Sequence, residues 1–339
     1  MHCELVVPAL VPAEALRGAL AGLRLPALEL LLARGRATSE ERRSTERWLA
    51  DAFGLDEDDL PAGALSVLGE GSEPGAQLWL RADPVHLRLM RDELRLIPSA
   101  GFAVSRAEAE ALCAALNAHF SGELVFYPLD PERWSVKLRA EVAGLEAQAP
   151  LEIAGENVSA HLPAGPEAKH WQAVLNEVQM LLHASPVNEA REERGEPAVN
   201  SVWLWGAGRR PGMLEAPWQS VSADDPLARG LARAAGMRHR PIPACAGDWL
   251  ERLSGDGRHL ALLDALRAAH ALGDAEAFRA RLQTLEERWF APLLAALKAG
   301  AVGMVTIQVP DAEEALCIET VRGDLRRFWR RPRALGDCA

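Results

Sequence analysis

The hydrophobic pattern is sharpest over residues 171–182. Apolar side chains at Trp171, Val174, Leu175, Val178, Leu181 and Leu182 recur at three- and four-residue steps, which places them on one buried face of a helix. Ser185-Pro186 stops that helix, and a compact polar segment follows with Asn188, Arg191, Arg194, Gly195 and Asn200. A buried-type strand over 201–205 then runs into a Gly206-Ala207-Gly208 turn and Arg209-Arg210. A helix feeding a polar loop, then a strand ending in a glycine turn, is how an α/β protein presents side chains at the carboxyl edge of its sheet. The density of Asn and Arg there suggests a surface for an anion or a sugar phosphate.

The same patterning predicts the other elements. Residues 5–7 form a first strand ending at Pro8-Ala9-Leu10, followed by helices over 12–23 and 26–34. Trp48, Leu49, Ala52 and Phe53 make a helical face closed by Gly54, and residues 57–66 are acidic and turn-rich. Short strands are expected at 77–80, 85–89 and 94–97, the last two joined by a turn near Arg91-Asp92. Ser105 with Glu108 is a capping box that opens a helix reaching Phe120, and a strand returns over 124–129. Residues 139–165 are weakly patterned and predict loops with one short strand. A short helix covers 226–236. Helical spacing over 275–299 carries Pro292, which bends the helix or starts a second one. A buried strand covers 302–309, and the basic tail LRRFWRRPR is expected to lie across the acidic body, anchored by Phe328 and Trp329. Strands and helices alternate, so the fold class is α/β, a sheet with helices on both faces.

Composition narrows the function. The 339 residues carry a net charge of −11, which argues against nucleic acid or an anionic membrane as the main partner. Five cysteines lie far apart with no Cys-x-x-Cys pair, as expected of reduced thiols in the cytoplasm. The apolar run at 5–11 is interrupted by prolines and lacks a preceding basic region, so it reads as a core strand and not a signal peptide. The sequence has no uninterrupted apolar stretch of membrane-spanning length, so no transmembrane helix is expected.

The stretch HASPVNEAREERGEPAVNSVWLWGAG resembles the His-Pro-x-Asn…Arg…Arg-Gly…Pro-Ala-Asn…Gly-x-Gly signature of the archaeal-type, cofactor-independent phosphoglycerate mutases of the alkaline phosphatase superfamily. It is closer still to a bacterial branch of RpfE-type regulatory proteins. Upstream, LSVLGEG and LRADPVHLRL resemble two further segments of that family. The resemblance implies an alkaline-phosphatase-like α/β core from residues 1–76 and 200–339. It also implies an inserted α+β subdomain over 77–199, with a ligand surface formed by Asp83, Arg88, Asn188, Arg191, Arg194 and Asn200.

In active members two divalent metals held by carboxylates and histidines flank a Ser or Thr nucleophile, and the metal pair stabilises both the attacking and the leaving oxygen. Ser44 or Thr45 lies near the nucleophile's place. The first metal-binding Asp should follow strand one, where Pro8-Ala9-Leu10 stands. Asp264, His270 and Asp274 echo a downstream ligand segment with altered spacing. Asp311 stands where an Asp-His pair is expected, followed by Ala312. The expectation is therefore a regulatory, non-catalytic protein that binds a small phosphorylated or anionic ligand, or a protein partner, and needs no cofactor. The alternatives are an active mutase using Mn, Co, Mg or Zn, and a structural scaffold. Plainer roles stand beside these: Asn188 and Asn200 can bond main chain, Arg191 and Arg194 can pair with neighbouring glutamates, and the Gly-x-Gly turn can be simple chain geometry.

Overall fold

The computed structural model describes the chain except residues 57–59, 91–92, 140–144, 146, 163–166, 333–334 and 336–339. The expected turn at Arg91-Asp92 and parts of the 57–66 and 139–165 segments lie outside the described residues, as does Arg333 of the tail. Two compact units divide the chain, Met1–Gly54 with Met213–Ala339, and Leu55–Gly212.

The first unit is built on a seven-stranded sheet in the order Arg36–Glu40, Ala315–Val321, Met304–Val309, His2–Val6, Arg258–Leu262, Ser220–Ser222, Arg238–Arg240. The last five strands are mutually parallel, while the first two pair antiparallel at one edge. His2–Val6 lies in the middle, and Cys3, Leu5 and Val6 are fully buried, as a strand covered on both faces requires. The exception is Glu4, also fully buried. Its carboxylate accepts from the Trp218 indole at 2.6 Å, Arg258 at 2.8 Å and the Gln308 amide at 2.9 Å.

Helices Pro26–Arg34, Ala246–Arg252, Ala275–Leu285 and Ala291–Ala299 pack their apolar sides into the core of this unit through Leu28, Trp249, Phe278 and Leu293. The bend expected at Pro292 is a π-helical turn over Glu286–Phe290. Proline has no N–H and its ring crowds the carbonyl four residues back, and a widened turn accommodates both. Glu286 on that turn accepts the amides of Ala27 at 2.6 Å and Leu28 at 3.0 Å, filling free donors at the start of helix Pro26–Arg34.

Several short elements escaped the sequence pattern: the strands Arg36–Glu40, Ser220–Ser222, Arg238–Arg240 and Ala315–Val321, and helix Ala246–Arg252. The tail expectation is corrected as well. Phe328 and Trp329 are 78% and 67% exposed, so they anchor nothing in this unit; Arg327 and Arg330 instead donate to the carbonyls of Arg34 and Gly35.

The second unit has an antiparallel sheet centred on Leu78–Met90, one long strand where two short ones were expected. It pairs with Glu93–Pro98, Arg133–Leu138 and Ser201–Gly208, and Leu124–Asp130 extends the sheet beyond Arg133–Leu138. Pro84 pairs with Val202 on one edge of its strand, while along the other edge pairing with Arg133–Leu138 has stopped at Arg81 and pairing with Glu93–Pro98 begins at Val85. Helices Arg106–Phe120 and Ala168–His183 cover one face through Leu116, Trp171 and Val178. The capping box forms as expected, with Ser105 and Glu108 exchanging hydrogen bonds.

Helix Ala62–Gly69, wholly buried, lies where an acidic turn-rich stretch was read. It explains the glycines after the signature strand. The strand continues to Gly208, so there is no turn; a Cβ at Gly206 would fall 2.4 Å from Ala62 and one at Gly208 2.4 Å from Pro61. The glycines let the helix start approach the strand. Because Ser201–Gly208 pairs with Leu78–Met90, it cannot be parted from this sheet. The division therefore falls at 54/55 and 212/213, not at 76/77 and 199/200.

Candidate functional site

Two groups of singled-out residues lie in the two units. In the second unit, the polar segment after Ser185-Pro186 is not a loop at a parallel sheet's edge but a helix, Pro186–Glu193. Ser185 caps it by accepting from the Val187 amide, and Pro186 sits at its first position, where its missing N–H is harmless. Asn188 donates to the carbonyls of Leu182 at 2.7 Å and Val199 at 2.9 Å and accepts from the Val199 amide at 2.9 Å. Arg191, 1% exposed, donates to Glu108 at 3.0 Å and to the carbonyls of Pro197 and Ala103. Arg194 reaches Glu108 at 2.6 Å and Glu196 at 2.7 Å. Burial works against ionising Glu108, but its bonds from Ser105 and the two guanidinium groups outweigh it and hold the carboxyl down at about 2.

Asn200 spans the backbone of Leu87, accepting from its amide at 2.7 Å and donating to its carbonyl at 2.9 Å. Asp83 is buried beside Arg81, with the Trp205 indole donating to it at 2.7 Å. Burial pushes its carboxyl up, against the pull of Arg81. Arg88 is exposed on the far end of its strand. Thus Asn188, Arg191 and Arg194 gather around helix Pro186–Glu193, Asp83 and Asn200 serve other parts of the sheet, and most of their polar atoms are satisfied within the protein.

In the first unit, the residues sit at the carboxyl ends of the parallel strands, the usual place for ligands in such sheets. Ala9, Asp225, Asp264 and Asp311 follow the strands His2–Val6, Ser220–Ser222, Arg258–Leu262 and Met304–Val309. Both oxygens of Asp311 accept from the Ala9 amide at 2.9 Å, and Ala9 holds a left-handed φ of 60°. The Arg43 amide donates to the Pro310 carbonyl at 3.0 Å, which brings the start of helix Thr45–Ala52 to this loop. Ser44 caps that helix, its hydroxyl accepting from the Arg47 amide at 3.2 Å. His270 accepts from the Ala13 amide at 3.1 Å, and burial lowers its pKa while Asp311 opposes the shift. Asp274 is the cap of helix Ala275–Leu285, accepting from Ala277.

The sequence reading missed the pair at the centre. Arg267 donates to Glu46 at 2.6 Å, both nearly buried. Burial disfavours the charge on Arg267, yet Glu46, with Asp225 and Asp311 in range, keeps it protonated. Beside it, Thr45 Oγ1 and Glu46 Oε2 are buried without a hydrogen-bond partner. Nothing local in the sequence links Glu46 to Arg267 across more than two hundred positions.

Ala9 offers no carboxylate, Asp311 is engaged by an amide, and Arg267 brings a positive charge to the acids. Among the described residues, no group of three or more His, Cys, Asp or Glu side chains could hold a metal ion.

Residues 63–188 match the family model of 2,3-bisphosphoglycerate-independent phosphoglycerate mutase. The probable 2,3-bisphosphoglycerate-independent phosphoglycerate mutase of Geobacter sulfurreducens is 29% identical over 212 residues, covering 60% of this chain and 52% of that protein. The 2,3-bisphosphoglycerate-independent phosphoglycerate mutase of Methanosarcina mazei is 30% identical over 212 residues, 58% of this chain and 51% of that protein. The chain spans about half the length of these curated relatives. Among solved structures, the PH0037 protein from Pyrococcus horikoshii shares the fold, with a TM-score of 0.58 at 15% identity, covering 99% of this chain and 91% of that one. Over residues 63–188 and in the sequence it shares with these relatives, the chain is phosphoglycerate mutase-like.

Proposed function

We propose that this phosphoglycerate mutase-like chain does not carry out two-metal phosphoryl transfer and acts as a regulatory protein that binds a small phosphorylated ligand. The observation that carries the reading is the corner between Ala9 and Asp311, where a hydrogen-bonded amide stands in place of a second carboxylate. Arg267 adds to it, since a permanent guanidinium among Glu46, Asp225 and Asp311 supplies the positive charge that metal ions would otherwise bring. A second reading, an active mutase, draws on the unpartnered Thr45 hydroxyl and on the names of the relatives. Interconversion of 3- and 2-phosphoglycerate by the purified chain with Mn²⁺ or Co²⁺ separates the two. The expected result is no turnover above background, with no metal retained after purification. A robust rate abolished by Ser44→Ala with Thr45→Ala would overturn the proposal.

A further inference from the structure

The unit with the parallel sheet has a second concave site, over the edge strands Ser220–Ser222 and Arg238–Arg240. The register sets Arg238, Ser220 and His259 side by side across three neighbouring strands, and Arg240 beside Ser222 one pleat further on. Residues two apart on a strand share a face, so these five polar groups form one patch. Helix Ala246–Arg252 and the residues after it close the other side with Trp249, Arg252 and Ser254, enclosing a cavity of about 360 Å³.

Its chemistry is one-sided. Three guanidinium groups line it, from Arg238, Arg240 and Arg252, and no Asp or Glu does. Arg238 donates to the Ser254 hydroxyl at 3.5 Å, and among the described residues no carboxylate forms an ion pair with any of the three. Three like charges around one hollow repel each other, in a chain whose net charge is −11. An anion in the hollow turns that repulsion into attraction. A histidine and a serine lie among the arginines. His259 is 2% exposed, and its Nδ1 lies 2.8 Å from the Ser220 hydroxyl.

We propose that this cavity binds a phosphoryl dianion, free or carried on a small molecule, clamped between the edge-strand arginines Arg238 and Arg240 and the helix-end arginine Arg252. The planar guanidinium fork matches two oxygens of a tetrahedral oxyanion at once. The cavity of about 360 Å³ is at the small end of ligand sites, which run from about 300 to 1,000 Å³, and leaves room for a phosphoryl group with a few carbons against Trp249 and Pro243. The site does not depend on what the Asp311 edge does, since its lining shares no residue with the corner formed by Ala9, Glu46, Arg267 and Asp311.

Calorimetric titration of the full chain at low ionic strength tests it, with inorganic phosphate, glycerol 3-phosphate and uncharged glycerol as probes. Both anions are expected to bind saturably and glycerol not at all. Arg240→Gln and Arg252→Gln, both at exposed positions, should each weaken the anions by about tenfold or more, the effect of losing a charge-assisted hydrogen bond, with the unliganded melting temperature unchanged. Tighter binding of the ester than of phosphate assigns the site to a small phosphate ester, and equal affinity assigns it to free phosphate. No saturable binding of either anion, or binding that both substitutions leave unchanged, overturns the inference. A mutase assay that finds activity would sink the regulatory reading and leave this result standing.

Discussion

Asn188 shows how a side chain singled out for binding can be consumed by the fold. It bonds three backbone atoms, the carbonyl of Leu182 and the amide and carbonyl of Val199, and so joins the end of one helix to the approach of the strand Ser201–Gly208. Asn188→Ala would strand those buried groups and should destabilise by about 2–4 kcal/mol in urea denaturation, an effect of the order measured for orphaned buried hydrogen-bonding atoms. Asp311 makes the same point at the other candidate site. If its role is to hold the Ala9 amide, Asp311→Ala should lower the melting temperature equally in Mn²⁺ and in EDTA. A Mn²⁺-dependent rise in the parent, absent from the variant, would instead mark a metal site. The identity of both residues was readable in the chain. Their partners were not, because a side chain's hydrogen bonds are set by segments that come close only after folding: Asp311 and Ala9 are some three hundred positions apart.

At the scale of elements, legibility followed locality. The capping box of Ser105 and Glu108 and the extent of helix Pro26–Arg34 rest on residues within one turn of each other, and both formed as read. Ser185-Pro186 was read as a stop although the same pair is a start signal, a capping serine followed by a first-turn proline. The strands Arg36–Glu40 and Ala315–Val321 have no strong period because they lie at the sheet's outer edge, one of them exposed throughout. The Glu108 carboxylate joins the cap of helix Arg106–Phe120 to Arg191 of helix Pro186–Glu193 and to Arg194 at that helix's end, and it gives that joint a pH signature. A carboxyl near 4.3 when unfolded and held at about 2 when folded contributes stability that is complete above the unfolded value and is lost as pH falls towards the folded one. Melting curves between pH 5 and about 2 should therefore steepen in their decline, and Glu108→Gln should flatten that part of the profile while lowering stability at neutral pH.

For the whole molecule, each unit has its own sheet and its own apolar core, one around Leu5, Phe290 and Ile307 and the other around Trp134, Trp171 and Phe126. Residues 55–212 should accordingly fold when expressed alone and melt cooperatively by circular dichroism, as a self-sufficient core requires; a fragment lacking a cooperative transition would show that its core is incomplete. The α/β class was legible in the alternation of strands and helices, whereas the grouping of helix Ala62–Gly69 and strand Ser201–Gly208 with the second sheet was not. Pairing between distant strands decides that grouping, and the arginine-lined cavity is equally a product of register, since Arg238, Ser220 and His259 come from three separate strands.

Glu4 carries a consequence for how the first sheet assembles. Its carboxylate is satisfied only when Arg258 and Gln308 arrive at their observed positions on the two flanking strands, with Trp218 above. A slip of either neighbour by one residue would turn these groups to the opposite face and leave a buried acid without partners. A parallel sheet of apolar strands has many near-equivalent alignments, and one acid in the middle strand penalises the wrong ones, so Glu4→Leu should tolerate misaligned, aggregation-prone chains during refolding even where the native state survives.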